Sequence, residues 1–423
     1  MTVYKLDHVT KIEGHARLNV KIEDGIVKKV ELNVFEGSRY FESLVLNRHY
    51  EEISELTARI CGICSPAHRI AALIAIEDAI NVKPSEQTTI LRELLVNGAH
   101  MESHGLHALL VSLVDYLGFK DPFEMMRKKP ELVKDALEIK RVGNLMVKIV
   151  GGRAIQPITP KVNGFKKLPS KDELNNLLKE LKNVRPLVLK FLQIFSQLQY
   201  PNFWRECNHY CTTSPTYSMI RGRPDSFRGH SFPVQEFQKH VKEIVIPYST
   251  AKFSRIQGET YMVGALPRLN VNSHKLTPEA KEWLFKTPSF NTFHNDFAQV
   301  IELIHLVDNS INVLEGFEVK KENTNFTFKP GVGFSSTEAP RGTLYHNYEF
   351  NKEGRVVKAD ILTPTAQNLP NLENDIKEYL SQLISKGEKE ILWGCERMIR
   401  AYDPCISCST HFLKLKINNK TVS

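Results

Sequence analysis

RICGICSPAH, residues 59–68, and DPCISCSTH, residues 403–411, each carry a Cys-x-x-Cys pair followed by a histidine. The first supplies Cys61, Cys64 and His68, the second Cys405, Cys408 and His411. A lone pair of this kind binds a metal, runs redox chemistry or does neither. Two pairs supply four thiolates, a donor set suited to zinc, to the iron of a cluster or to nickel. Zinc ribbons place their pairs about 15–20 residues apart, whereas these stand at opposite ends of the chain. Such a site closes only once the whole domain has folded, which fits a buried catalytic centre better than a local clip. A structural zinc site is the plain alternative.

The remaining composition is that of a globular protein. The chain has 423 residues, 42% hydrophobic and 25% charged, enough for one large core or two or three domains and too apolar for bulk disorder. The net charge of +8 is mild, and Lys and Arg are scattered rather than gathered into an arm, so a solvated surface is expected and not a nucleic-acid partner. The longest apolar run, IAALIAI at 70–76, is far shorter than the ~18 residues of a membrane span. The N-terminus lacks the apolar core of a secretory signal. Seven unevenly spread cysteines read as reduced thiols of a cytoplasmic protein rather than a disulfide scaffold.

Along the chain, ARLNVKIEDGIVKKVELNVFE (16–36) alternates apolar and polar residues about Asp24-Gly25, the pattern of a β-hairpin. Helical periodicity follows. PAHRIAALIAIEDAI (66–80) has a proline suited to a first turn, and residues 88–118 read as one long buried helix. Further helices are expected at 131–150, 171–199, 294–315 and 371–400. Residues 151–165, 336–350 and 359–372, rich in Gly, Pro and Asn, read as loops, with a second hairpin in YHNYEFNKEGRVVKADIL (345–362). These features describe a mainly α fold with small β pieces, an α+β domain.

KIEGH (11–15), RICGICSPAH, APRG (339–342) and DPCISCSTH, in that order, resemble the large catalytic subunit of the nickel–iron hydrogenases. The resemblance runs from Lys11 to His411. EGSRYFE (36–42) together with RAYDPCISCSTH is most similar to the cytosolic, multi-subunit, sulfhydrogenase-type branch, which exchanges electrons with a soluble NAD(P) or deazaflavin carrier. It implies a single catalytic domain over 1–411, with an N-terminal β region (1–50), a helical core (51–400) and a C-terminal metal motif (401–411). It also implies that residues 412–423 are an extension removed by a maturation endopeptidase after nickel-insertion proteins have loaded the site; read alone, FLKLKI would be a surface strand.

The resemblance assigns roles residue by residue. Cys61 and Cys405 would be terminal nickel ligands, and Cys64 and Cys408 would bridge nickel to an iron that carries CO and CN ligands. Splitting H2 heterolytically needs a metal for the hydride and a base for the proton, and the Cys405 thiolate would be that first base. Glu13 would pass the proton on, its pKa raised by burial. Arg341 would lie over the open side of the metal pair, oriented by Asp403. Pro364 and Thr365 would line the cyanide ligands, and His68 would donate toward a bridging sulfur. Glu42 and His411 would bind magnesium, or iron, at a separate site.

Two positions depart from the family pattern. Leu110 stands where an aspartate is common, leaving Asp403 as the expected acidic neighbour of Arg341, and Gln156 stands where a histidine is usual. His100, His104 and His107 have helical spacing but are expected to be buried polar contacts. ECNHYC (206–211) and Cys395 are expected to be structural. With no further cysteine motif, electrons would leave through an Fe–S small subunit, and from there through diaphorase-type subunits carrying Fe–S clusters and FAD. The rivals are a hydrogenase-like scaffold subunit that has lost its metal and the structural zinc protein.

Overall fold

The computed structural model describes residues 2–410 and the short strands Leu415–Ile417 and Lys420–Val422. His411 lies outside the described residues. The N-terminal alternation becomes a three-stranded antiparallel sheet in the order β1 (Thr2–Leu6), β2 (Ala16–Glu23), β3 (Ile26–Val34), turning at Asp24-Gly25. Ala16, Leu18, Val20 and Ile22 alternate inward on β2 and share a core with Leu32 and Val34 of β3 and the helices Pro364–Ser381 and Glu388–Ala401.

A larger apolar cluster unites five helices: Ser65–Ala79, Glu86–Leu106, Pro130–Gly151, Lys171–Ser196 and Asn295–Leu314. Their ends follow sequence rules. Ser85 caps the second by accepting the Thr88 N–H at 3.0 Å, and Ser170 with Glu173 forms a reciprocal capping box on the fourth. The long helix expected over 88–118 is a continuous rod from Glu86 to Tyr116, but residues His107–Ser112 widen into a π-helical segment. Such segments concentrate at functional sites.

The loop readings of 336–350 and 359–372 are overturned. Val332–Ala339, Gly342–Phe350 and Val356–Leu362 form an antiparallel sheet, and a helix begins at Pro364. The hairpin read over 345–362 is present, Gly342–Phe350 pairing with Val356–Leu362, but both faces of the sheet are covered and many buried side chains are polar, so its first strand carries no alternation. Glu338 binds Arg268, Thr212 pairs with Ser336, and Asn347 donates to the Gly333 carbonyl. Only Pro340 and Arg341 remain a turn, paired across by Ala339 and Gly342. The single helix expected over 371–400 is two, Pro364–Ser381 and Glu388–Ala401, separated at Gly387, whose φ of +93° no helix continues.

Candidate active site

The four motif cysteines converge. Cys61 Sγ lies 3.5 Å from Cys405 Sγ, Cys64 Sγ lies 3.6 Å from Cys408 Sγ, and Cys405 and Cys408 are 3.0 Å apart. All four sulfurs fall within 4.8 Å of one another, none of the residues is more than 5% exposed, and Phe41, Ile60 and Ile361 close the pocket. The two ends of the chain are brought together by different devices. Cys64 stands at the N-cap of helix Ser65–Ala79, with Pro66 in its first turn, so the positive end of the helix faces the thiols. Cys405 is held by its amide, which donates to Thr365 Oγ1 at 3.0 Å, and by a backbone bridge to Glu13. Hydrogen bonds from Cys405, then Cys408 and Cys61, hold the Cys64 thiol well below its ordinary range, and His68 acts in the same direction. Burial and the neighbouring sulfurs hold Cys408 well above it, the Cys405 hydrogen bond foremost. The cluster therefore retains protons that a cation would displace. Four soft donors in a dry pocket fit a nickel-centred site.

Arg341 enters from the turn of the buried sheet. Gly342 has a φ of +130°, and a Cβ there would lie 2.5 Å from Val263 Cγ2, so the turn presses onto Val263 and Gly264 only because residue 342 has no side chain. The guanidinium is buried. Its Nε donates to Asp403 O at 2.9 Å and Oδ1 at 3.1 Å, its Nη2 to Oδ1 at 3.0 Å, and its Nη1 has no hydrogen-bond partner. Burial alone would lower its pKa; Asp403 and then the Cys405, Cys61 and Cys64 sulfurs reverse that and hold it well above the usual value. An unsatisfied buried N–H beside thiols is costly and marks a place for an acceptor. Among the described residues Asp403 is its acidic partner, and Leu110 offers none.

Glu13 sits elsewhere than expected at its carboxyl end. Its main chain pairs with Cys405 and accepts the Ile406 N–H at 3.0 Å, but its carboxylate accepts from Ser407, at the amide at 3.0 Å and at the hydroxyl. Gly14 makes this approach feasible, since a Cβ on it would lie 2.7 Å from Ile406 Cβ. His68 is fully buried, with Nδ1 3.2 Å from His346 Nε2, and His346 Nδ1 is 2.7 Å from the Tyr348 hydroxyl. Pro364 and Thr365 are buried in the first turn of their helix beside Cys405.

Glu42 is 2% exposed and accepts from Lys252 Nζ at 3.0 Å and from the Ile361 amide at 2.9 Å. Glu243 and Asp360 join it in a carboxylate cluster. Burial raises the Glu42 pKa, opposed first by Lys252. The ammonium thus lies where the resemblance put a hard cation, and the other expected ligand, His411, lies outside the described residues.

His100, His104 and His107 are buried polar contacts, on Val96 O, Glu302 and Gln299 respectively, and stand apart from the thiol cluster. Cys207 and Cys211 accept from Asn371 and Asn272, and with Cys395 they are single buried thiols. Gln156 donates its backbone N–H to Ser65 Oγ at 3.0 Å. Sequence reading passed over Ser407, Gln299, His346, Lys252, Glu243 and Asp360, which reach their partners from separate elements and share no local spacing with them.

A model of the family described as nickel-dependent hydrogenase matches residues 39–138 and 212–411. The chain belongs to the nickel-dependent hydrogenase family. It is 34% identical to sulfhydrogenase 1 subunit alpha of Pyrococcus furiosus over 97% of this chain and 98% of that protein. It is 26% identical to the NAD-reducing hydrogenase HoxS subunit beta of Cupriavidus necator, covering 96% of this chain and 94% of that one. A crystal structure of an NAD+-reducing NiFe hydrogenase in the H2-reduced state has the same fold, with a TM-score of 0.89 at 23% identity over 97% of this chain and 100% of the other. The hydrogenase described here is accordingly an oxidoreductase acting on H2, with a nickel and iron centre, and the four thiols are the donor set in the fold able to hold it among the described residues.

Proposed function

We propose that this hydrogenase is the catalytic subunit of a cytoplasmic multi-subunit enzyme that interconverts H2 with protons and electrons, the electrons passing through an Fe–S small subunit and diaphorase-type flavin and Fe–S subunits to NAD(P). The observation that carries the reading is the buried set of four thiols beneath the unpartnered Nη1 of Arg341. Cys61, Cys64, Cys405 and Cys408 would hold the nickel and iron, Cys61 and Cys405 serving nickel alone and Cys64 and Cys408 serving both metals, with CO and CN completing the iron. When bound, the metal pair supplies the electrophile that makes H2 acidic enough to split.

The chain's own groups do the rest. The Cys405 sulfur takes the proton, and a Glu13 whose carboxylate has exchanged Ser407 for that thiol carries it outward. Arg341, held by two donors on Asp403, aims its third at the open side of the pocket. Thr365 spends its oxygen on the Cys405 amide and keeps its hydroxyl proton to donate to a metal-bound diatomic. The other three cysteines are buried singly, so clusters must come from a partner. Glu42, with His411, holds magnesium once Lys252 yields its place, and the residues after His411 are removed in maturation.

Metal analysis of the purified native complex tests the centre. Equimolar nickel, lost together with iron in Cys408→Ser, is expected; stoichiometric zinc in the wild type would sink the proposal. Glu13→Gln should retain both metals and lose H/D exchange, and exchange at the wild-type rate would remove Glu13 from the relay.

A further inference from the structure

His107 opens the π-helical segment of the long rod and faces an unusual pair of partners. Its Nδ1 lies 2.7 Å from Gln299 Oε1 and its Nε2 lies 2.8 Å from the Arg400 carbonyl oxygen. Both are acceptors only. The Gln299 amide cannot be turned over to offer a donor, because its nitrogen already donates to Asp403 Oδ2 at 3.0 Å. Reversed, its oxygen would face a carboxylate whose other oxygen binds Arg341 twice. A neutral imidazole has one donor and one acceptor nitrogen, so it would set one lone pair against a carbonyl inside a buried site, at the cost of an unsatisfied polar contact.

The charges around the ring agree. Asp296 Oδ1 from helix Asn295–Leu314 and Asp403 Oδ2 from the C-terminal motif each lie 3.8 Å from Nδ1. Asp296 is itself dressed as an anion, accepting from Ser112 Oγ at 2.8 Å and Tyr116 OH at 2.9 Å. Ser112 Oγ also lies 3.4 Å from Nε2, with its proton spent on Asp296. The other nearby charges are already paired: Arg341 with Asp403, and the Arg400 guanidinium with Asp115, which also takes Lys11. Two buried carboxylates thus face the His107 ring, while Arg341 pairs with Asp403 alone, so a cation on the ring completes the balance. Burial raises the Asp296 pKa, and His107 is the foremost influence opposing it.

We propose that His107 is a resident imidazolium and a positioning residue for the reaction: its proton fixes Gln299, Gln299 fixes Asp403, and Asp403 fixes the guanidinium of Arg341 over the thiol pocket. The donors run in one direction along the chain, so loss of the first proton frees the Gln299 amide to rotate and lets Asp403, and with it Arg341, drift. The functional half of this proposal rests on the role given to Arg341 above; the charge state of the ring does not.

Neutron diffraction from the deuterium-exchanged native complex reads the charge state without any variant. Deuterium on both ring nitrogens of His107 is expected, and density on one alone overturns the proposal whatever metal the site holds. The positioning role is tested by charge rescue. His107→Gln should slow H/D exchange by about tenfold with nickel content unchanged. Adding Asp296→Asn, which removes the anion left without its cation, should restore most of that loss. A double variant as slow as the single one would overturn the charge-based role, because a purely structural defect would be deepened by a second core substitution. Absence of nickel from the wild type would instead fell the hydrogenase assignment and leave the charge of His107 standing.

Discussion

At the scale of single residues, Arg341 has two tasks that a lysine cannot combine. Its planar fork makes three bonds to Asp403 and still presents Nη1 to the pocket, whereas an ammonium is a point donor on a flexible stem. Arg341→Lys is therefore expected to keep nickel and lose about 100-fold or more in H2 turnover, the usual effect of removing one preorganised donor; turnover within a few-fold of wild type would contradict it. The residues that meet in the candidate site are legible in the sequence because each sits inside a short motif: both Cys-x-x-Cys pairs, APRG, and the Asp403-Pro404 that precedes Cys405. Their supports were not. Ser407 on Glu13, Gln299 on Asp403 and His346 on His68 come from segments 394, 104 and 278 residues away in the chain. The carboxylate of Glu13, which the resemblance makes a proton relay, rests on Ser407, a detail of side-chain rotation that no spacing encodes.

At the scale of elements, the buried sheet and the helix of Cys64 touch backbone to backbone. A Cβ placed on Gly333 would lie 2.0 Å from Ala75 O and 2.3 Å from Ala79 N. Gly333→Ala must push the strand off the helix whose N-cap is Cys64, at an expected cost of about 1–3 kcal/mol or more for overpacking. Thermal unfolding should show a lowered midpoint together with reduced nickel occupancy; an unchanged midpoint would mean that the strand and helix are not locked as described. The same covered sheet explains where the sequence misled. Its strands bury Glu338, Thr343, His346 and Asn347 along with Leu344 and Tyr348, so only the hairpin at 345–362 is legible and the stretch before it, with Pro340, reads as a loop. The amphipathic helices were plain because each shows one apolar stripe to the core, and Pro130–Gly151 and Asn295–Leu314 begin and end within two residues of their expected bounds.

At the scale of the whole molecule, acid should unfold this protein through its buried neutral histidines. Burial pulls His209 down to about 3, and Arg205 adds to the effect; His294 and His305 fall to about 4, again mainly by burial. The folded state binds fewer protons than the unfolded chain between those values and the ordinary 6.5, so the stability these groups contribute is present above pH ~6.5 and is lost as pH falls below it. For His209 alone the loss approaches about 1.4 kcal/mol per pH unit. His209→Gln should flatten the fall in unfolding midpoint between about pH 6.5 and pH 4, and an unaltered slope would show that this ring is charged when folded.

All three scales depend on one event, the meeting of four sulfurs from opposite ends of the chain, the set we propose to hold the nickel and iron. Infrared spectroscopy of the purified native complex reads that event directly, since metal-bound CO and CN absorb where protein and water do not. The account predicts both sets of bands, shifting when H2 replaces an inert gas. An empty window from a sample with full nickel occupancy would contradict it.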